Sequence, residues 1–170
     1  MENRRRLTLI INPISGTLSK KGVDRWVPPM LKRMGFDVDV RFTEYAGHAT
    51  EIAREAATRG DYGVLACGGD GTVNEVASGL VGTSTALGIL PAGSGNGLAR
   101  HIGIPIDIEK SLKVIGENFI APCDCGEVNG RLFFCTFGVG FDAAVSKRFS
   151  LQHRRGLSTY ISSAIDEFIT

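Results

Sequence analysis

The residues of this sequence that could do chemistry are concentrated in three glycine-rich stretches. These are Asn12-Pro13-Ile14-Ser15-Gly16, Gly68-Gly69-Asp70-Gly71-Thr72 and Pro91-Ala92-Gly93-Ser94-Gly95-Asn96-Gly97. Each follows a short apolar run and precedes a helical pattern. Glycine lets a backbone approach an anion closely and take positive φ, while free amides at the start of the next helix point at it. A nucleotide di- or triphosphate is the natural guest of such loops. Asp70, held between glycines, could bind Mg²⁺ or accept the proton of a substrate hydroxyl. Phosphoryl transfer asks for placement and charge neutralisation more than for covalent chemistry, and one placed carboxylate among backbone amides fits that demand. Ser15, Ser94 and Asn96 offer short polar side chains that reach phosphate or ribose oxygens, or else fold back on their own turns. Thr72 and Glu75 have the spacing of a T-x-x-E capping box, a structural task independent of any ligand. Thr43 ends a strand on the same rim. His48 and His101 have no acidic or metal partner in sequence reach and read as structural or solvated.

The two standard nucleotide signatures do not apply. No GxxxxGK[ST] occurs, and the GxGxxA spacing from Gly138 to Ala143 lacks a following βαβ unit, which disfavours a P-loop NTPase and a Rossmann dehydrogenase.

Positioning these loops falls to alternating strands and helices. Residues 7–11 form an apolar β-type run closed by Asn12-Pro13. In residues 21–34, Val23, Trp26, Val27, Met30, Leu31 and Met34 recur at helical spacing, with Pro28 and Pro29 expected to interrupt that helix or start its second part. Residues 36–42 alternate as a half-buried strand near a sheet edge. Residues 48–58 read as a helix, 62–67 as a strand, 72–80 as a helix, 86–90 as a strand and 98–102 as a short helix. This order implies an α/β fold with a mainly parallel sheet covered by helices on both faces. In such a sheet, ligands bind beyond the carboxyl ends of the strands, where the three loops converge. After Pro122 the pattern changes to two β segments around Asn129-Gly130, a hairpin signal, and residues 157–168 read as helical. The expected division is a nucleotide-binding α/β domain over residues 1–122 and the beginning of an incomplete β-rich second domain over 123–170.

At 170 residues the chain accommodates one full core and part of a second. Its 19 Lys and Arg against 18 Asp and Glu leave a net charge of +1, too little for a nucleic acid backbone. The apolar runs are far shorter than the ~20 residues of a membrane-spanning helix. The basic start Arg4-Arg5-Arg6 lacks the long apolar segment of a signal peptide, so a cytoplasmic location is expected. Cys67, Cys123, Cys125 and Cys135 lack paired CxxC spacing and read as reduced, buried thiols.

In order and spacing, Asn12-Pro13-x-Ser15-Gly16, Gly68-Gly69-Asp70-Gly71-Thr72-Val73-Asn74-Glu75 and Pro91-Ala92-Gly93-Ser94-Gly95-Asn96 resemble the motifs of diacylglycerol and sphingosine kinases. The resemblance runs from residue 7 to about 148. It implies a first domain like that of NAD kinase and phosphofructokinase, with ATP and Mg²⁺ as cofactors and a lipid hydroxyl as acceptor. It implies nucleotide contacts from Asn12, Pro13, Ile14, Ser15, Gly16, Thr43, Gly68 to Glu75, Gly93, Ser94 and Asn96, with Asp70 as catalytic and metal-binding residue. Gly138-Val139-Gly140-Phe141-Asp142-Ala143 is similar to an early second-domain segment of the family, which makes Asp142 a second catalytic candidate. Bacterial diacylglycerol kinases usually carry Gly-Thr-x-Asn-Asp in the third loop, whereas Gly93-Ser94-Gly95-Asn96-Gly97 is closer to the sphingosine kinase pattern and leaves the lipid open. The chain is expected to supply the ATP-binding half of a lipid kinase, with peripheral membrane association at its substrate and a homodimer as a further partner arrangement. The alternatives are a nucleotide-binding regulatory module without catalysis and another GGDG-loop kinase such as NAD kinase.

Overall fold

A computed structural model describes residues 5–14, 22–140 and 143 of the chain. The expectations for Ser15, Gly16, Asp142 and the helix at 157–168 lie outside the described residues. Two compact units are present, Met1–Phe134 and Cys135–Thr170; of the second, residues 135–140 and 143 are described.

The first unit is built on strands β1 (Arg5–Ile11), β2 (Phe36–Phe42), β3 (Gly63–Gly68) and β4 (Ala86–Pro91). They form one sheet in the order β2-β1-β3-β4, and every neighbouring pair is parallel. Side chains alternate across a strand, so an all-apolar run fills both faces. Leu7, Leu9 and Ile11 of β1, with Leu65 and Cys67 of β3, enter one core; Ile10, Val64 and Ala66 enter the other.

Helices α1 (Val23–Arg33) and α5 (Ile108–Glu117) cover the first face through Val23, Val27, Leu31, Ile108 and Leu112. Helices α2 (His48–Thr58), α3 (Asp70–Leu80) and α4 (Gly97–His101) cover the second through Ile52, Ala56, Val76, Leu80 and Leu98. The expected doubly covered parallel sheet is therefore the fold, with β2 at a sheet edge. Helices α2 and α3 pack closely because Gly79 has no side chain: a β-carbon there would stand 2.7 Å from the Thr50 carbonyl oxygen and 2.8 Å from Ala53 Cβ. The Thr50 hydroxyl also donates to the Glu75 carbonyl at 2.8 Å.

Three features depart from the pattern read in the sequence. Pro28 and Pro29 sit inside α1 without ending it. The missing N–H groups orphan only the carbonyls of Asp24 and Arg25, in a first turn whose Arg25 is exposed and can be served by water. Helix α5 went unrecognised, although Asp107 caps it by accepting from the Lys110 N–H at 2.9 Å and Ile108, Leu112 and Ile115 share its inner face. Of the cysteines, Cys67 is buried in β3, but Cys123, Cys125 and Cys135 are exposed, because they flank short strands rather than lie within the sheet.

Strands β5 (Gly126–Val128) and β6 (Arg131–Phe133) pair antiparallel. Asn129 and Gly130 both take positive φ, as the two-residue primed turn of a hairpin requires. Among the described residues, no helix is long and apolar enough to cross a membrane.

At the amino-terminal end of the strands, Asp61 is buried between β1 and α2. Its carboxylate accepts from the Thr8 hydroxyl at 2.5 Å and from Arg59 at 2.8 and 3.0 Å, and Arg59 also donates to Thr8 Oγ1 at 2.9 Å. Burial pushes this carboxyl up, but the Arg59 and Thr8 hydrogen bonds and the charges of Arg59 and Arg6 together hold it below the usual carboxylate range.

Candidate functional site

Strand β1 is followed by α1 on one face of the sheet, while its neighbour β3 is followed by α3 on the other. The connections out of β1 and β3 therefore lead to opposite faces, and the carboxyl ends at such a boundary are the place where open α/β sheets bind ligands. Loop and strand hydrogen bonds fix the rim: Thr43 N–H donates to the Ile11 carbonyl, Asn12 N–H to Cys67, and Ala92 N–H to Gly68.

The Gly68–Thr72 loop is shorter than a capping box would make it. Gly69 is extended and serves as N-cap without any side-chain cap, so α3 begins at Asp70, two residues before the position expected from Thr72. Thr72 is instead buried inside the first turn, where its hydroxyl accepts from Asn12 Nδ2 at 3.0 Å and joins the first loop to the second. It packs over Gly68, where a β-carbon would meet the Thr72 hydroxyl at 2.5 Å. Among the described residues no side chain caps the amides of Asp70, Gly71 and Thr72, the first donors of a helix N-terminus whose dipole favours an anion. Among the described residues nothing lies within 4 Å of where a β-carbon on Gly71 would stand, so none of them fills the space in front of this turn.

Asp70 is exposed on this turn. Its Oδ1 accepts from the Gly97 N–H at 2.6 Å, binding the second loop to the third, and Oδ2 lies 2.7 Å from the position of a Gly95 β-carbon. The absence of a side chain at Gly95 thus lets the backbone of the third loop close on the carboxylate.

Asn96 organises that third loop. It is buried with positive φ, and its amide oxygen accepts from the Gly93 N–H at 2.9 Å while its amide nitrogen donates to the Gly93 carbonyl at 2.8 Å. Ser94 remains exposed at the loop's crest. Arg100, which the sequence reading did not single out, donates from Nε to the Gly95 carbonyl at 2.9 Å. Its signal was present as a cation on the helix leaving a glycine-rich loop.

The structure therefore brings Asn12, Gly68, Gly69, Asp70, Gly71, Thr72, Gly93, Ser94 and Asn96 to one rim, with Thr43 at the adjoining strand end. Pro13 and Ile14 are exposed on the first loop, and the Ile14 N–H donates to Asn12 Oδ1 at 3.0 Å. Val73 points into the core and its N–H bonds Gly69, so it offers the rim no donor. Asn74 and Glu75 are half-buried farther along α3. Beyond Thr43, Tyr45 stacks on His48, and its hydroxyl donates to Glu51 at 2.6 Å. That hydrogen bond, with the charges of Glu51, Glu44 and Glu55, holds the phenol above its usual pKa.

Among the described residues, no three His, Cys, Asp or Glu side chains gather as a metal cage. An apolar groove of about 560 Å³ runs along the free edge of β4, lined by Leu80, Val81, Leu87, Ile89, Ile102 and Phe119. It lacks the convergent amides of the loop rim and lies beside the strand rather than beyond its carboxyl end, so it is not the site assembled by the three loops.

Comparison with known proteins agrees with this geometry. The family model for the diacylglycerol kinase catalytic domain matches residues 6–128. The chain is 37% identical over 139 residues to a diacylglycerol kinase of Bacillus subtilis, an alignment covering 80% of this chain and 46% of that protein. It is 36% identical over 131 residues to a Cronobacter sakazakii protein named "Probable lipid kinase YegS-like", covering 75% and 44%. A crystal structure of a diacylglycerol kinase from Bacillus anthracis superposes with a TM-score of 0.68 at 30% identity, covering 78% of this chain and 49% of that one. The chain spans less than half the length of these curated relatives. The match over most of the α/β unit, loops included, shows that the chain belongs to the diacylglycerol kinase catalytic domain family.

Proposed function

We propose that this chain is the ATP-binding half of a lipid kinase, holding Mg·ATP at the carboxyl ends of β1 and β3 for transfer of the γ-phosphoryl group to a lipid hydroxyl. The observation that carries this reading is the first turn of α3: amides that no described side chain caps and space at Gly71 that no described residue fills, next to a carboxylate clamped by the Gly97 amide. Relatives named as diacylglycerol and lipid kinases support the acceptor class.

The residues fit the cofactor. Polyphosphate oxygens match the amides of Asp70, Gly71 and Thr72, with Ser94 and Ser15 as further donors. Mg²⁺ characteristically uses one or two carboxylates plus substrate phosphates, so a lone Asp70 without a protein cage suits it. When bound, Mg·ATP supplies the transferable group and a cation that neutralises its charge. Asp70 keeps Oδ2 for the cation or for the proton of the attacking hydroxyl. Asn96 and Arg100 hold the third loop in shape, and Asn12 fixes the first loop against Thr72. Asp142 is the second carboxylate we assign to this chemistry.

Calorimetric titration of Mg·ATP into the chain, paired with radiolabel transfer to diacylglycerol, sphingosine and NAD, tests the reading. Saturable binding with transfer to a lipid is the expected result for a sufficient chain. Binding without transfer identifies a nucleotide-binding module, transfer to NAD identifies the other GGDG-loop chemistry, and absence of binding refutes the site.

A further inference from the structure

We infer that the stacked Tyr45–His48 pair is the platform on which the base of the nucleotide rests, an assignment that depends on the nucleotide reading of the adjoining loops. The two rings lie 4.5 Å apart between centroids and 3° from parallel, at the start of α2 and directly after Thr43 on the rim. Both are locked by hydrogen bonds that leave the stack intact. The Tyr45 hydroxyl donates to Glu51 at 2.6 Å, and His48 Nδ1 accepts from the Glu44 N–H at 3.1 Å, which leaves the neutral ring's proton on Nε2. His48 stands against one face of Tyr45, and 54% of the residue remains exposed.

Location and charge select the ligand. Helices α2 and α3 cover the same face of the sheet and are in contact, and the strands that lead into them, β2 and β3, stand two strand spacings apart, or about 10 Å. One nucleotide spans that separation. Glu51 accepts the Tyr45 hydroxyl and the charge of neighbouring Glu44 adds to it, while Glu55 is paired with Arg41 at 3.5 Å; this acidic setting disfavours phosphate and an anionic membrane surface while accepting a neutral aromatic ring. Phosphates therefore go to the α3 turn and the base to Tyr45, where offset stacking is the preferred aromatic geometry.

The experiment compares Mg·ATP with Mg·tripolyphosphate, which has the phosphates and no base, on the wild-type chain, Tyr45→Leu and Tyr45→Phe. Tyr45→Leu weakens ATP binding roughly tenfold, the range for one base–aromatic stack, and leaves tripolyphosphate binding unchanged. Tyr45→Phe keeps the ring and retains most of the ATP affinity. Equal ATP affinity in wild type and Tyr45→Leu, with both still binding tripolyphosphate, overturns the platform and spares the phosphate site. Failure of the wild type to bind either ligand overturns both. An equal loss for ATP and tripolyphosphate in Tyr45→Leu marks a structural role and overturns the platform as well; thermal melts of each variant accompany the titrations.

Discussion

Gly93 faces Gly69 so closely that a β-carbon on Gly93 would stand 2.4 Å from the Gly69 α-carbon and 3.3 Å from its amide nitrogen. The obstacle is backbone, which cannot swing aside as a flexible side chain would. The second and third loops are thus held in register by the absence of two side chains, and the Asp70–Gly97 hydrogen bond is made across that contact. Gly93→Ala forces the loops apart. We expect a loss of roughly 1–3 kcal/mol, as for other overpacked sites, together with weakened nucleotide binding. Urea denaturation and Mg·ATP titration check both; a variant with wild-type stability would show that the contact relaxes freely.

Asp70→Asn separates clamping from chemistry. An asparagine oxygen still accepts from the Gly97 amide, and position 70 is exposed, so the melting temperature stays within about 2 °C of wild type, as for most surface substitutions. Removing the charge withdraws the group we propose as metal ligand or proton acceptor. Radiolabel transfer to lipid should drop by about 10²–10⁴-fold in kcat. Unaltered turnover would take Asp70 out of the reaction and leave it a loop clamp.

Most of the fold was legible because β3 and β4 are short apolar runs, β1 is apolar from Leu7 to Ile11 apart from Thr8, and α2 has a clean apolar stripe. The glycine loops were legible as neighbours at one end of the sheet, because each follows a parallel strand and precedes a helix. What the sequence hid was tertiary. Thr72 followed by Glu75 has the spacing of a cap, and only the extended Gly69 shows that the helix starts earlier and frees the Thr72 hydroxyl for Asn12. The burial of Asn96 and its two bonds to Gly93, which shape the third loop, are likewise visible only in the fold. Tyr45 and His48 are three residues apart, and nothing in that spacing announces a parallel stack.

Asp61 makes stability depend on pH. Its carboxyl is held below the ordinary value of about 3.9, so the unfolded chain takes up the proton at a higher pH than the folded one. The stabilisation is fully present above that unfolded value and is lost as pH falls through the folded value. Melts from pH 6 to pH 3 should show the wild type losing stability below about pH 4. Asp61→Asn removes the charge that Arg59 and Thr8 surround, at a cost of roughly 3 kcal/mol at pH 6. That is the low end for breaking a buried pair, because Arg59 is partly solvated. Its melting temperature should then change less over the same acid range. A parallel decline of the two proteins would place the acid sensitivity elsewhere.

Gly71→Ala gives the sharpest separation of fold from function. Gly71 lies within the first turn of α3, has ordinary backbone geometry, and its new methyl group would meet none of the described residues within 4 Å. Replacing glycine by alanine at a compatible helical position restricts the unfolded chain, so the variant should be more stable by about 0.4–1 kcal/mol. That same space is where we place the phosphates, and the methyl group would stand against them. The expected outcome is therefore a raised urea midpoint combined with a loss of Mg·ATP affinity, two changes of opposite sign from one carbon atom. A variant that gains stability and binds ATP as wild type does would move the phosphates away from this turn, and with them the role of its amides.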